Sequence, residues 1–171
     1  PIPFGQIGRM APEGATGSIF PTRVFDITDE CVLVDGSSNA KIGGDVLKGR
    51  LKGARIFTLT LEERATCPTS CAMWRGCYGN GMQYSRRWKH GAALEAKIEA
   101  EIKAACARHE LVLIRLHVLG DFYSVDYVSL WNRLLTEHQN LNVFGFTAWG
   151  PKTEIGSRIS QMREVFGARF S

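Results

Sequence analysis

From residue 54 onward the apolar positions of the chain fall into alternating strand-like and helix-like periods. Residues 55–61 read as a strand, with Phe57, Leu59 and Leu61 on one face and Thr58 and Thr60 on the other. Residues 92–109 read as a helix with Leu94, Ile98, Ala105 and Cys106 as its apolar stripe and Glu99/Lys103 as a supporting pair one turn apart. Residues 111–119 form a second, nearly all-apolar strand. Ser124 is placed to cap a helix reaching about residue 138, with Val128, Trp131 and Leu135 inward. Residues 142–149 predict a third strand, 154–166 a helix with Ile155, Ile159, Met162 and Phe166 in register, and 168–171 the start of a fourth strand.

Such alternation predicts an α/β fold with parallel strands and right-handed helical crossovers. Each strand carries a polar set spaced by two: Thr58/Thr60, Arg115/His117, Gly145/Thr147 and Arg169/Ser171. Fully buried parallel strands are apolar on both faces. The polar sets therefore predict a partial (β/α) barrel with outer helices and a ligand-holding lumen. Thr60, Arg115, His117, Thr147 and Arg169 are the expected pocket groups, and the two arginines suit a carboxylate or phosphate. Residues 1–50, dense in Gly and Pro, read as an irregular N-terminal arm or cap. Within it residues 31–34 form a short strand entering the turn at Asp35-Gly36. Residues 51–171 form the barrel domain, expected to continue beyond Ser171 because the chain stops inside a strand.

Composition changes this picture little. Hydrophobic residues make up 44% and charged residues 22%, enough for an independent core. The net charge of +4 permits a phosphate-bearing partner without requiring one. No apolar run is long enough to span a membrane, and no secretory signal is visible. Five cysteines without an export signal point to reduced thiols and a cytoplasmic setting. Cys31 and Cys106 are expected in the core.

The candidate chemistry sits in the loop after the first strand. Cys67, Cys71 and Cys77 lie within eleven residues, separated by three and then five. Soft thiolates at close spacing select zinc or an iron–sulfur cluster. Three thiolates leave one position open, on one iron of a [4Fe–4S] cluster or on a zinc that His90 or His117 would complete. The missing C-x2-C pairs weigh against a structural zinc site and leave the cluster as the leading assignment. His117 and Asp121, four apart at a strand end, form a candidate acid/base pair. Arg86, Arg87 and Lys89 around Trp88 form a candidate nucleic-acid contact; a solvated helix start beside a buried Trp is the simpler account of that run.

Residues 59–68, Cys71, the run Cys77-Tyr78-Gly79-Asn80 and the run Arg115-Leu116-His117-Val118-Leu119-Gly120-Asp121-Phe122-Tyr123-Ser124 together resemble the phage gene product eighty-eight family, from about residue 41 to the end. More distantly, the layout is similar to radical SAM enzymes. That likeness implies a [4Fe–4S] cluster on Cys67, Cys71 and Cys77 with Tyr78 as aromatic neighbour. It also implies S-adenosylmethionine as a second cofactor, its amine held by Gly120 and Asp121. The three-then-five spacing and an aromatic that follows the third cysteine set this chain apart from that layout. The expectation is an iron–sulfur protein with an unknown small-molecule or nucleic-acid ligand, and with radical-SAM-like chemistry if it is an enzyme. A zinc-stabilised nucleic-acid-binding module and a cluster-based redox sensor stand as alternatives.

Overall fold

In a computed structural model, residues 9–39 and 42–171 are described. Three helices form where the 3.6-residue stripes place them: α1 (Ala92–Arg108), α2 (Val125–Glu137) and α3 (Glu154–Phe166). Ser124 caps α2, its side chain accepting from the Tyr127 N–H, and Thr153 caps α3 in the same way through Gly156. The stripe of α1 is Leu94, Ile98, Ile102 and Ala105; Cys106 packs partly buried against the core. Glu99 meets Arg133 of α2 at 2.7 Å, tying the two helices together, while the charge of Lys103 also acts on it.

The strands are β1 (Val24–Phe25), β2 (Val34–Asp35), β3 (Arg55–Thr58), β4 (Arg87–Trp88), β5 (Val112–Leu116) and β6 (Leu141–Gly145). β1 and β4 make a small parallel pair. The main sheet runs in the order β2-β3-β5-β6, with β2 antiparallel and the other three parallel. The described chain is thus a mixed α/β protein with open sheets. The expected fourth strand appears as a 3-10 turn (Gly167–Arg169) followed by a parallel bridge from Phe170 to Val143. The arm is woven into the sheet: β2 forms its edge, and Val32 and Leu33 donate their backbone N–H groups to Glu101 of α1.

Register decides which side chains share a face. Ile114 aligns with Phe57 and Val143, and Leu116 with Gly145. With Val112 and Leu141 these residues pack on the inner stripes of all three helices in one core. The opposite face carries Thr58, Arg115 and Phe144 in one row, with Ile56, Leu113 and Asn142 in the row below. The lower row is met by the segment before β3: Arg50 donates to the side-chain Oδ1 of Asn142 at 3.3 Å, and Gly36 lies so close to Ile56 that a Cβ there would come within 3.1 Å of it.

The polar face predicted from alternation is accordingly smaller than expected. Gly145 belongs to the helix side. His117 lies past the end of β5, where alternation stops, and its ring turns into the core beside Phe122 and Tyr127. Arg169 sits in the terminal 3-10 turn and donates to the carbonyls of Leu135, His138 and Gln139, so it closes the C-terminal end of α2. Cys31, expected in the core, is exposed.

Candidate functional site

The cysteine loop runs between Leu61, just past β3, and Trp88 of β4, and these two residues bridge to each other at its base. A buried ion pair organises it. Arg87 Nε donates to Glu63 Oε2 at 2.8 Å, and both side chains are essentially fully buried. The remaining Arg87 donors take the carbonyls of Gly79, Met82 and Ser85, and Glu63 also accepts from the Ser18 hydroxyl. Charges leave water only when each donor and acceptor finds a partner, and here they do. Arg64 repeats the device: it donates to Gly17 O, Trp74 O and Asn80 Oδ1, while the Asn80 amide donates to Arg9 O and Arg75 O. Two buried arginines and an asparagine thus hold the loop where a hydrophobic core would be too small to do so.

The loop is also fastened to the segments after β5 and β6. The Asp121 N–H donates to the Thr66 hydroxyl at 3.1 Å. Asp121 Oδ1 accepts from Phe122 N and Oδ2 from Ala148 N, both at 2.7 Å. The loops that follow β3, β5 and β6 therefore meet at one buried carboxylate. Burial raises the Asp121 pKa, opposed by these N–H donors and by the Thr147 hydroxyl. Two glycines allow the contact. Gly120 has φ +86, and a Cβ there would lie 2.6 Å from Thr66 Oγ1 and 2.7 Å from Leu61 Cβ. A Cβ on Gly79 would come within 2.9 Å of Leu119.

On this frame Cys67, Cys71 and Cys77 are each half-buried and unbridged. They stand close enough that each of Cys67 and Cys77 feels the charge of Cys71, and Cys67 also feels Asp121. Burial pushes the Cys67 thiol up to about 11 and raises that of Cys77. Backbone groups of Arg64 and Gly79 oppose that rise at Cys67 and Cys77 respectively. Arg64 adopts φ 66, a left-handed conformation rare for a residue with a side chain. Backbone N–H groups near sulfur stabilise bound thiolates and tune the potential of clusters. Among the described residues no group of three His, Cys, Asp or Glu side chains is gathered to hold a metal ion.

The other expected site residues are distributed unevenly. Tyr78 follows Cys77 at the loop rim, and Arg115 is its strongest charged neighbour. Thr60 lies half-buried beyond β3, its carbonyl accepting from Trp88 N. Thr147 is exposed and its hydroxyl accepts from Trp149 N. His117 and Asp121 are not paired. His117 Nε2 meets the Tyr127 hydroxyl at 3.1 Å, its Nδ1 has no partner, and burial lowers its pKa to about 3. His90 is exposed beside the Tyr123 ring. Arg86 is paired with Glu30 and stacks over Phe25, Arg87 is paired with Glu63, and Lys89 with Asp26. Trp88 is buried. The basic run thus spends its charges on carboxylates of the chain itself.

Glu63, Arg64, Thr66 and Asn80 were not singled out from the sequence. Their signal was only the presence of charged and amide residues flanking the cysteines, and partners such as Glu63 and Arg87 lie 24 positions apart.

Fold and site together define an α/β protein with a three-thiol loop at the C-terminal ends of its parallel strands. The Gene product 88 family model matches residues 32–156, and the chain belongs to that family. No curated protein and no solved structure matches it. The likeness to the radical SAM layout therefore rests on the residues alone. Among the described residues no helix is long and apolar enough to cross a membrane.

Proposed function

We propose that the chain is an iron–sulfur protein in which Cys67, Cys71 and Cys77 ligate three irons of a [4Fe–4S] cluster. The observation that carries this reading is the loop itself: three half-buried, unbridged thiols within eleven residues, on a loop held by the buried Arg87–Glu63 pair and by Arg64 and Asn80. A low-pKa nucleophilic or redox thiol is a poor match, because burial shifts Cys67 and Cys77 in the opposite direction. Zinc is the second reading, and the absence of a three-ligand group among the described residues counts against a preformed single-ion site.

The sheet supports a partial-barrel arrangement. β3, β5, β6 and the Phe170 bridge are neighbours in chain order, with all three helices on one face. Active sites of such folds lie at the C-terminal strand ends, where the three loops meet at Asp121. Bound there, a cluster with an open iron supplies one-electron chemistry and a coordination point for S-adenosylmethionine or a substrate. Glu63, Arg64, Arg87 and Asn80 hold the loop that carries the thiols, and Asp121 fixes that loop to the strand ends.

Anaerobic purification with reconstitution tests this. Equal amounts of iron and labile sulfide, lost stepwise in C67S, C71S and C77S, are expected. A colourless protein holding stoichiometric zinc refutes it. Reductive formation of 5′-deoxyadenosine then separates an enzyme from a cluster-based sensor.

A further inference from the structure

Arg115 stands in the upper row of the open sheet face, in register with Thr58 on β3 and Phe144 on β6. It is half-buried. The other half-buried cations of the described residues all have partners: Arg23 a carbonyl, Arg55 and Arg86 carboxylates, Lys97 a carbonyl and Arg169 three carbonyls. Arg115 alone among them has neither an ion pair nor a hydrogen bond with any described residue. A guanidinium that has lost part of its water without gaining an acceptor is an unfavourable arrangement, and an anion in its fork relieves it.

The surroundings favour an anion from outside the chain. Thr58 is turned to the Val34 carbonyl at 3.3 Å. Asp121 is committed to backbone N–H groups, and Glu63, the carboxylate that acts on Tyr78, is committed to Arg87 and Ser18. Tyr78 follows Cys77 and is exposed, its hydroxyl feels the charge of Arg115, and that hydroxyl has no hydrogen-bond partner among the described residues. Two unused donors thus act on one region beside the thiol loop, with Phe144 in register with Arg115 on the neighbouring strand.

We propose that Arg115 and the Tyr78 hydroxyl form an anion subsite that holds the carboxylate or phosphate of a ligand beside the three-thiol loop. Its relevance to catalysis rests on the cluster reading, but anion binding does not.

The test uses the full chain, both as purified and after reconstitution, with inorganic phosphate and acetate as probes. Binding is read from phosphorus-31 line width and from saturation transfer to the acetate methyl. At least one probe is expected to bind. Arg115→Met is expected to weaken it at least roughly tenfold, the size of a lost charge-assisted contact. Arg115→Lys keeps the charge but loses the fork and falls between the two. Tyr78→Phe causes a smaller loss. Phosphate binding alone assigns a phosphoryl ligand, and acetate binding assigns a carboxylate. If neither probe binds the unaltered chain, or if both arginine variants bind as tightly as it does, the subsite is refuted. Arg115-dependent binding in a protein that takes up no iron or sulfide leaves the subsite standing and removes the cluster reading.

Discussion

Lowering the pH should destabilise the fold through one residue, His117. Its ring is buried between Phe122 and Tyr127, and burial lowers its pKa to about 3. An unfolded histidine titrates near 6.5. Between these values the unfolded chain binds a proton that the folded chain refuses, so stability falls as pH falls. The contribution is fully present above the unfolded pKa and lost progressively down to the folded one. At pH 5 the loss is about 2 kcal/mol, from 1.36 kcal/mol per unit over about 1.5 units. That figure is nearly the same for any folded pKa below about 4, since the unfolded chain sets the upper end of the window. Tyr127, which faces the ring, and Tyr123, stacked on Tyr127, are raised chiefly by burial and stay neutral. Asp121 is raised, so its own protonation favours the folded state at lower pH and acts in the opposite direction. Urea denaturation at pH 7.0, 6.0 and 5.0 measures the slope. His117→Gln, which keeps a nitrogen near Tyr127, should flatten it by most of the 2 kcal/mol. Equal slopes in the two proteins would show that His117 is not held neutral and that its ring is solvated.

Three further outcomes follow from the frame of the site. Glu63→Gln leaves the buried Arg87 cation without its counter-charge and should cost about 3–5 kcal/mol in denaturant unfolding, with loss of cluster uptake because the loop is released. Gly120→Ala should destabilise by more than the roughly 1 kcal/mol of an ordinary Gly–Ala difference, since both its φ and the contacts to Thr66 and Leu61 oppose a Cβ; an unchanged melting temperature would contradict the described packing. Ser124→Ala removes the α2 cap and should cost about 1 kcal/mol, read by thermal melting, with no effect on iron content.

Much of the fold was legible because helices and parallel strands write their periods locally. The α3 limits of 154 and 166 and the Ser124 cap were readable from neighbouring residues alone. The polar lumen was overread because period-two alternation holds only inside a strand. β5 ends at Leu116, so His117 is free to turn inward, and the chain at Arg169 is a 3-10 turn. The basic run was misleading for a different reason. Charge is visible in sequence, but whether it faces water depends on carboxylates that lie elsewhere, at Glu30, Glu63 and Asp26.

The same distinction is the ground for proposing that the cysteine loop and Arg115 carry function. A buried charged group in a stable domain is normally consumed by an internal partner, as Glu63, Arg64, Arg87, Asp121 and Arg169 all are. Each of these has a sufficient reason to exist in holding the loop or closing a helix. Among the described residues the three half-buried thiols form no disulfide and the half-buried Arg115 has neither an ion pair nor a hydrogen bond. They share one end of the sheet, connected through Tyr78 and bounded by loops that meet at Asp121. Unspent chemistry gathered on a rigidly fastened frame is what a binding site needs before its ligand arrives.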